Sequence, residues 1–252
     1  MDGYTVRPSP VPVNPERPRT RWVTCVAMCS AVLGVSLAAA ACSASAAPKA
    51  DPTSLLHQAK AKVDAASSLH FSLTSTGGSH GRTTILGGAG DLARPDAIEG
   101  SFTVSVEGLP VEVRVVSENG VFAAKLPFGT GYVRTDPSKF GLEDPAQLIN
   151  PQTGLTRLLA VAENPRMGTQ ERLSGELRDS VDATVAGTAI PVLPDAAPKR
   201  PVELVALVNP VDDQLRQVRL TGPFTSAQSD STYVLTLTAY DEHVNITLPS
   251  VH

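Results

Sequence analysis

Leu69, Phe71 and Leu73 alternate with His70, Ser72 and Thr74, and this period of two, expected of a half-buried strand, returns along most of the chain. Ile98, Phe102, Val104 and Val106 face one way, while Glu99, Ser101, Thr103, Ser105 and Glu107 face the other. Gly108-Leu109-Pro110 makes a tight connection to a second alternating run, Val111, Val113 and Val115 against Glu112 and Arg114. Glu118-Asn119-Gly120 then turns the chain into a strand over 121–126. The pattern predicts an antiparallel meander. Residues 83–92 read as a further strand, bulged or bent because it carries Gly87, Gly88 and Gly90. Strand patterning resumes at about 168–181, recurs at 185–189, 202–208, 215–220 and 233–239, and ends in a short edge segment over 244–248.

Two segments break this rhythm with helical spacing. Leu55, Leu56, Ala59, Val63 and Ala66 form one apolar stripe behind Asp51, a capping residue, and Pro52, suited to a first turn. Asn150-Pro151 can start a second helix with Leu155, Leu158, Leu159 and Ala162 on one face, which Asn164-Pro165 would stop. Asp136-Pro137 and Asp144-Pro145 mark the approach to it, and four prolines within 190–201 predict a loop. Helix, strands, helix, strands is the order of an α+β domain whose large antiparallel sheet is covered by the two helices. No long repeat or internal change of composition divides residues 51–252, which are expected to form a single domain.

The N-terminal region is of another kind. Arg17, Arg19 and Arg21 precede an uncharged run over 23–41, and Leu37-Ala38-Ala39-Ala40-Ala41-Cys42 reads as a lipoprotein processing site closing an export signal, residues 1–41. Cys42 would then begin the mature chain and carry diacylglycerol, with residues 42–50 as a short flexible tether to the outer leaflet of the cytoplasmic membrane. Two other readings stay open: an uncleaved spanning helix, and ordinary cleavage after Ala44-Ser45-Ala46, which would release the protein. All three export the domain. Ala39 is small where lipoprotein signals usually carry Leu or another larger aliphatic residue.

Residues 1–41 hold four of the 21 Lys and Arg and two of the 25 Asp and Glu, so the remainder carries 17 against 23 and a net charge of −6. That balance gives a nucleic-acid backbone nothing to bind. Cys25 and Cys29 lie in the signal, leaving Cys42 alone and excluding an intramolecular disulfide or a Cys-rich zinc site. The five histidines, His57, His70, His80, His243 and His252, include no pair at metal-ligand spacing. No serine sits in a GxSxG elbow, and Ser79-His80 completes no triad. Asp212-Asp213 and Asp241-Glu242 fall in predicted turns, and the glycines at 77–78 and 87–90 fit no phosphate loop. No catalytic residue, metal site or cofactor is expected. With no tryptophan beyond Trp22, the domain either packs aliphatic side chains tightly or encloses a lined cavity.

Three stretches together resemble the mycobacterial LppX/LprG-type lipoprotein family. They are Ser68-Leu69-His70-Phe71-Ser72-Leu73-Thr74 after the first helix, the central run from Glu143 to Leu155 with its Asp-Pro-Ala-Gln, Asn-Pro and Thr-Gly-Leu, and the final strand with its tail over 244–249. Tyr240 stands where relatives usually carry Trp. The resemblance implies a strongly curved antiparallel sheet, a half-barrel, with helices packed on its concave face around an apolar cavity. It also implies a lipid-binding carrier without catalysis. The cargo would be an acylated glycolipid, phospholipid or other long-chain envelope lipid, moved from the cytoplasmic membrane towards the outer envelope, in some members alongside a membrane lipid transporter. The inward stripes then nominate Phe71, Leu73, Phe102, Val104, Val113 and Val115 from the strands and Leu155, Leu158 and Leu159 from the central helix as lipid-binding residues. Two other functions compete: a surface-tethered interaction module with a filled core and no lipid, and a hydrolase acting on envelope lipids.

Overall fold

Asp51 Oδ2 accepts a hydrogen bond from Ser54 N–H at 2.8 Å and Pro52 occupies the first turn, so α1 (Pro52–Ala65) starts where its caps place it. In this computed structural model, residues 51–77, 84–140, 144–190, 200–226 and 229–250 are described, and all belong to one unit, Ala47–His252. The expected export signal over 1–41 and the expected tether over 42–50, Cys42 included, lie outside the described residues. So do Ser79, His80, Glu143 and most of the proline-rich stretch over 190–201.

The described residues form a twelve-stranded sheet in which every pairing is antiparallel. The N-terminal strands are β1 (Ser68–Gly77), β2 (Thr84–Ala93), β3 (Ala97–Val106), β4 (Leu109–Glu118), β5 (Val121–Lys125) and β6 (Val133–Arg134). After the helical segment come β7 (Glu163–Met167), β8 (Glu171–Leu173), β9 (Glu176–Val185), β10 (Val202–Val208), β11 (Leu215–Ser226) and β12 (Ser229–Thr238). Their spatial order is β6-β5-β4-β3-β2-β1-β12-β11-β10-β9-β7, with β8 on β9. The first and last strands are therefore neighbours in the middle, with Phe71 opposite Leu237 and Leu73 opposite Leu235.

The alternation places the strands as read, and the turns are specified locally. Glu107-Gly108 and Asn119-Gly120 both hold two successive positive φ angles, the geometry of a two-residue hairpin. The tight connection is thus Glu107-Gly108, and Leu109 and Pro110 already belong to β4. The glycine-bearing strand is bulged between Ile85 and Gly87.

Several expectations need correction. The central helix shrinks to one turn, α2 (Arg157–Ala160), preceded by a 3₁₀ turn at Pro145–Ile149. Asn150 Oδ1 does accept from Gln152 and Thr153 N–H, but Gly154 N–H donates to Asn150 O and Leu155 N–H to Leu148 O, so the chain doubles back instead of winding on. Gly154 makes this possible, since a Cβ there would stand 2.3 Å from Leu148 O. Asn164-Pro165 does not stop a helix but lies inside β7, an edge strand, where proline costs no ladder bond. The strand read at 168–181 divides into β8 and β9, and the one read at 185–189 is not formed: β9 runs on through Val185 and Gly187–Ala189 is a 3₁₀ turn. The tail over 244–248 is no strand either. It packs Ile246 against Ala97 and Val116 on the convex side.

The buried face of α1, Leu55, Leu56, Ala59 and Val63, joins the main core with strands β9 to β12. Arg94 ties its end to the sheet by donating to Ala66 O at 2.9 Å, Ile149 O at 3.0 Å and Val63 O at 3.1 Å. Arg94→Met removes a charged donor from three carbonyls at once and should cost about 2–3 kcal/mol. The urea midpoint reads this, and an unshifted midpoint would mean that water replaces the guanidinium freely.

Candidate lipid-binding cavity

Inward-facing side chains from β1 to β5, β11 and β12 line an apolar cavity of about 580 Å³. Laid flat, β5 and β11 would stand roughly 29 Å apart at about 4.8 Å per strand step, so the sheet must curl for both to reach one space. The curl does not close among the described residues, because β6 and β7 end the strand order without pairing to each other.

The bend is built from missing side chains. Gly88, Gly90 and Gly100 share the inner face of β2 and β3, with Gly90 paired to Gly100 and Gly88 to Phe102. A Cβ on Gly90 would stand 2.1 Å from Glu99 O, and one on Gly88 2.5 Å from Cδ1 of Phe102. The Phe102 ring thus lies over a glycine floor and stacks on Phe71 with ring centres 5.7 Å apart. Gly90→Ala should destabilise the fold by about 1–3 kcal/mol through overpacking against backbone. A thermal melt measures this, and an unchanged melting temperature would show that the two strands separate easily there.

Of the residues nominated from sequence, Phe71, Leu73, Phe102, Val104, Val113, Val115, Leu155 and Leu158 all line the cavity. Leu159 does not. Neighbours on a helix point about 100° apart, so Leu158 faces the cavity while Leu159 is buried in the core cluster that includes α1. Alternation alone found the strand residues but missed much of the remaining wall. Val218, Leu220, Phe224, Tyr233 and Leu235 come from β11 and β12, strands whose inward side no motif marked. Phe224 and Tyr233 meet edge to face at 5.1 Å, and burial pushes the Tyr233 phenol above its ordinary pKa.

Polar side chains reach the lining chiefly from one segment, as Asp144, Gln147, Thr153 and Thr156. Thr156 Oγ1 donates to Asp64 Oδ1 at 2.8 Å, and Lys60 donates to Asp64 and, at 2.9 Å, to Pro151 O, so this wall is fastened to α1. Along the strands the lining runs from buried to wet. Exposure rises from 7% at Val115 to 69% at Leu109 on β4, and from 7% at Phe122 on β5 to 48% at Leu126 just beyond it. The cavity therefore opens at the end where β3 turns into β4. Among the described residues no cluster of His, Cys, Asp or Glu could hold a metal.

An open antiparallel sheet curled around an apolar chamber, with one helix and a short helical segment on its concave side, defines a half-barrel with an internal cavity. The chain belongs to the LppX_LprAFG lipoprotein family, whose model matches residues 51–246. It is 27% identical over 238 residues to proteins named lipoarabinomannan carrier protein LprG, from Mycobacterium tuberculosis and Mycobacterium bovis, covering 90% of this chain and 95% of theirs. The crystal structure of LprF from Mycobacterium bovis superposes with a TM-score of 0.64 at 16% identity, covering 79% of this chain and 97% of that one. For the Mycobacterium tuberculosis lipoprotein LppX the TM-score is 0.58 at 19% identity, with 79% and 100% covered. These crystallised chains consist almost wholly of the matched part.

Proposed function

We propose that this protein is a membrane-anchored carrier that encloses the acyl chains of an envelope lipid and performs no catalysis. The observation that carries the reading is the cavity of about 580 Å³, apolar on every strand that faces it and open at one end. Its volume falls within the roughly 300–1,000 Å³ of sites that take small organic ligands. Exposing a sixteen-carbon chain to water costs on the order of 10 kcal/mol at about 0.8 kcal/mol per CH₂, so a carrier must cover the tails and can leave the headgroup in water. The filled core of the competing interaction-module reading is at odds with this space.

The LprG relatives are named as carriers of lipoarabinomannan, which supports a glycolipid as cargo; in our reading it is acylated and moves from the cytoplasmic membrane towards the outer envelope. The proposed lining is Phe71, Leu73, Phe102, Val104, Val113, Val115, Leu155 and Leu158. Lipidated Cys42 would hold the domain at the outer leaflet, facing the periplasm, where a lipid transporter could load it. Cys42→Ser followed by fractionation tests the anchor, since retention in the membrane would point to an uncleaved helix. Native mass spectrometry with lipid extraction, on the domain Ala47–His252 purified from an actinobacterial host, tests the carrier. A reproducible acylated adduct near unit stoichiometry is expected. A clean apo mass that stays unchanged after incubation with envelope lipids would sink the reading.

A further inference from the structure

The apolar lining does not stop at the cavity mouth. Val106 and Leu126 belong to the wall and are already exposed, Leu109 beyond them is mostly exposed, and Phe128 is fully so. The turn that carries Phe128 is built to hold it out: Gly129 N–H donates to Leu126 O at 3.0 Å, closing a four-residue turn with Pro127 in its second position. From Leu126 to Val133 the sequence Leu-Pro-Phe-Gly-Thr-Gly-Tyr-Val contains no charge, and Lys125 and Arg134 stand at its two ends. A monomer in water gains nothing from a phenylalanine displayed on a proline turn beside other exposed apolar side chains. An apolar tip flanked by cations is the pattern of a segment that lies in a membrane interface, with the ring below the headgroups and the cations among anionic phosphates.

We propose that the loop over 126–132 docks the cavity mouth onto a bilayer containing anionic phospholipid by inserting Phe128. The neighbouring hairpin tip, with Val106 and Leu109, rests on the same surface. Glu107, the one charge in that tip, keeps it shallower, so the charge-free loop is the part that enters. Seated in this way, the mouth opens onto the acyl layer, and a lipid tail passes into the cavity along a continuous apolar wall. The proposal rests on the carrier reading for its purpose but is measured independently of it.

The domain Ala47–His252 lacks tryptophan, so Phe128→Trp installs a single reporter. Mixed with vesicles of equal parts phosphatidylglycerol and phosphatidylcholine, it should shift its emission to the blue and be quenched when the acyl chains are brominated. Phe128→Asp, at a fully exposed position that leaves the fold alone, should weaken vesicle flotation about tenfold, the loss expected from withdrawing one aromatic side chain from an apolar layer. Unshifted emission with vesicles overturns the proposal, even where native mass spectrometry of the same sample finds a lipid adduct and so upholds the carrier. A blue shift that follows protein concentration and self-association instead of vesicles overturns it in favour of a second copy as the occupant. Quenching without any adduct supports docking while counting against the carrier.

Discussion

Val113→Trp should empty the cavity: a domain that carries an acyl adduct in its natural form is expected to lose at least about nine-tenths of it. Val113 sits halfway along the inner face of β4, between buried Val115 and exposed Leu109, directly opposite Phe102. An indole at that point would stand beside the Phe102 ring on the same wall and fill the space in front of it, which narrows the route from the mouth to the deep end. The position is only half-buried and borders free volume, so the larger side chain has room to settle without forcing the sheet apart. Adduct abundance relative to the natural domain is the measurement, with the melting temperature as a check on folding. Undiminished adduct in a folded variant would place the lipid elsewhere.

The second large effect is expected at Phe102 itself. Its ring touches both the main core and the smaller cluster of Val115, Phe122 and Ala124, so it narrows the space between them. Phe102→Ala should raise the acyl capacity, read as heavier or more numerous chains among the extracted lipids, and should cost about 2–3 kcal/mol. That lies below the usual loss for a fully buried ring because one side of the ring already borders free volume. Stability falling while lipid mass and stoichiometry stay the same would assign Phe102 to packing alone.

The sheet was legible because most of its strands have one wet face and one apolar face, which writes a period of two into the residues themselves. The same signal located six lining residues on β1, β3 and β4. It was weaker where both faces are covered. On β10 the run Leu204-Val205-Ala206-Leu207-Val208 is apolar throughout and cannot say which side is which. The central segment misled because Asn150, Pro151 and the leucine spacing are sound helix signals, while the return of Gly154 onto Leu148 depends on a contact that spacing does not encode. Arg94 was invisible for a related reason. Its carbonyl partners come from the end of α1 and from the 3₁₀ turn at Pro145–Ile149, which only the fold brings to it.

The pairing of the first strand with the last governs when the chamber comes into being. Strands β1 to β6 each pair with a sequence neighbour, as do β9 to β12, so both halves can assemble from short-range contacts. The junction between them joins Phe71 to Leu237 and waits for almost the whole chain. Until it forms, each half is an open sheet with a bare apolar stripe. Containment is therefore expected to be the final act of folding, and a chain cut short before β12 would have two greasy faces and no interior.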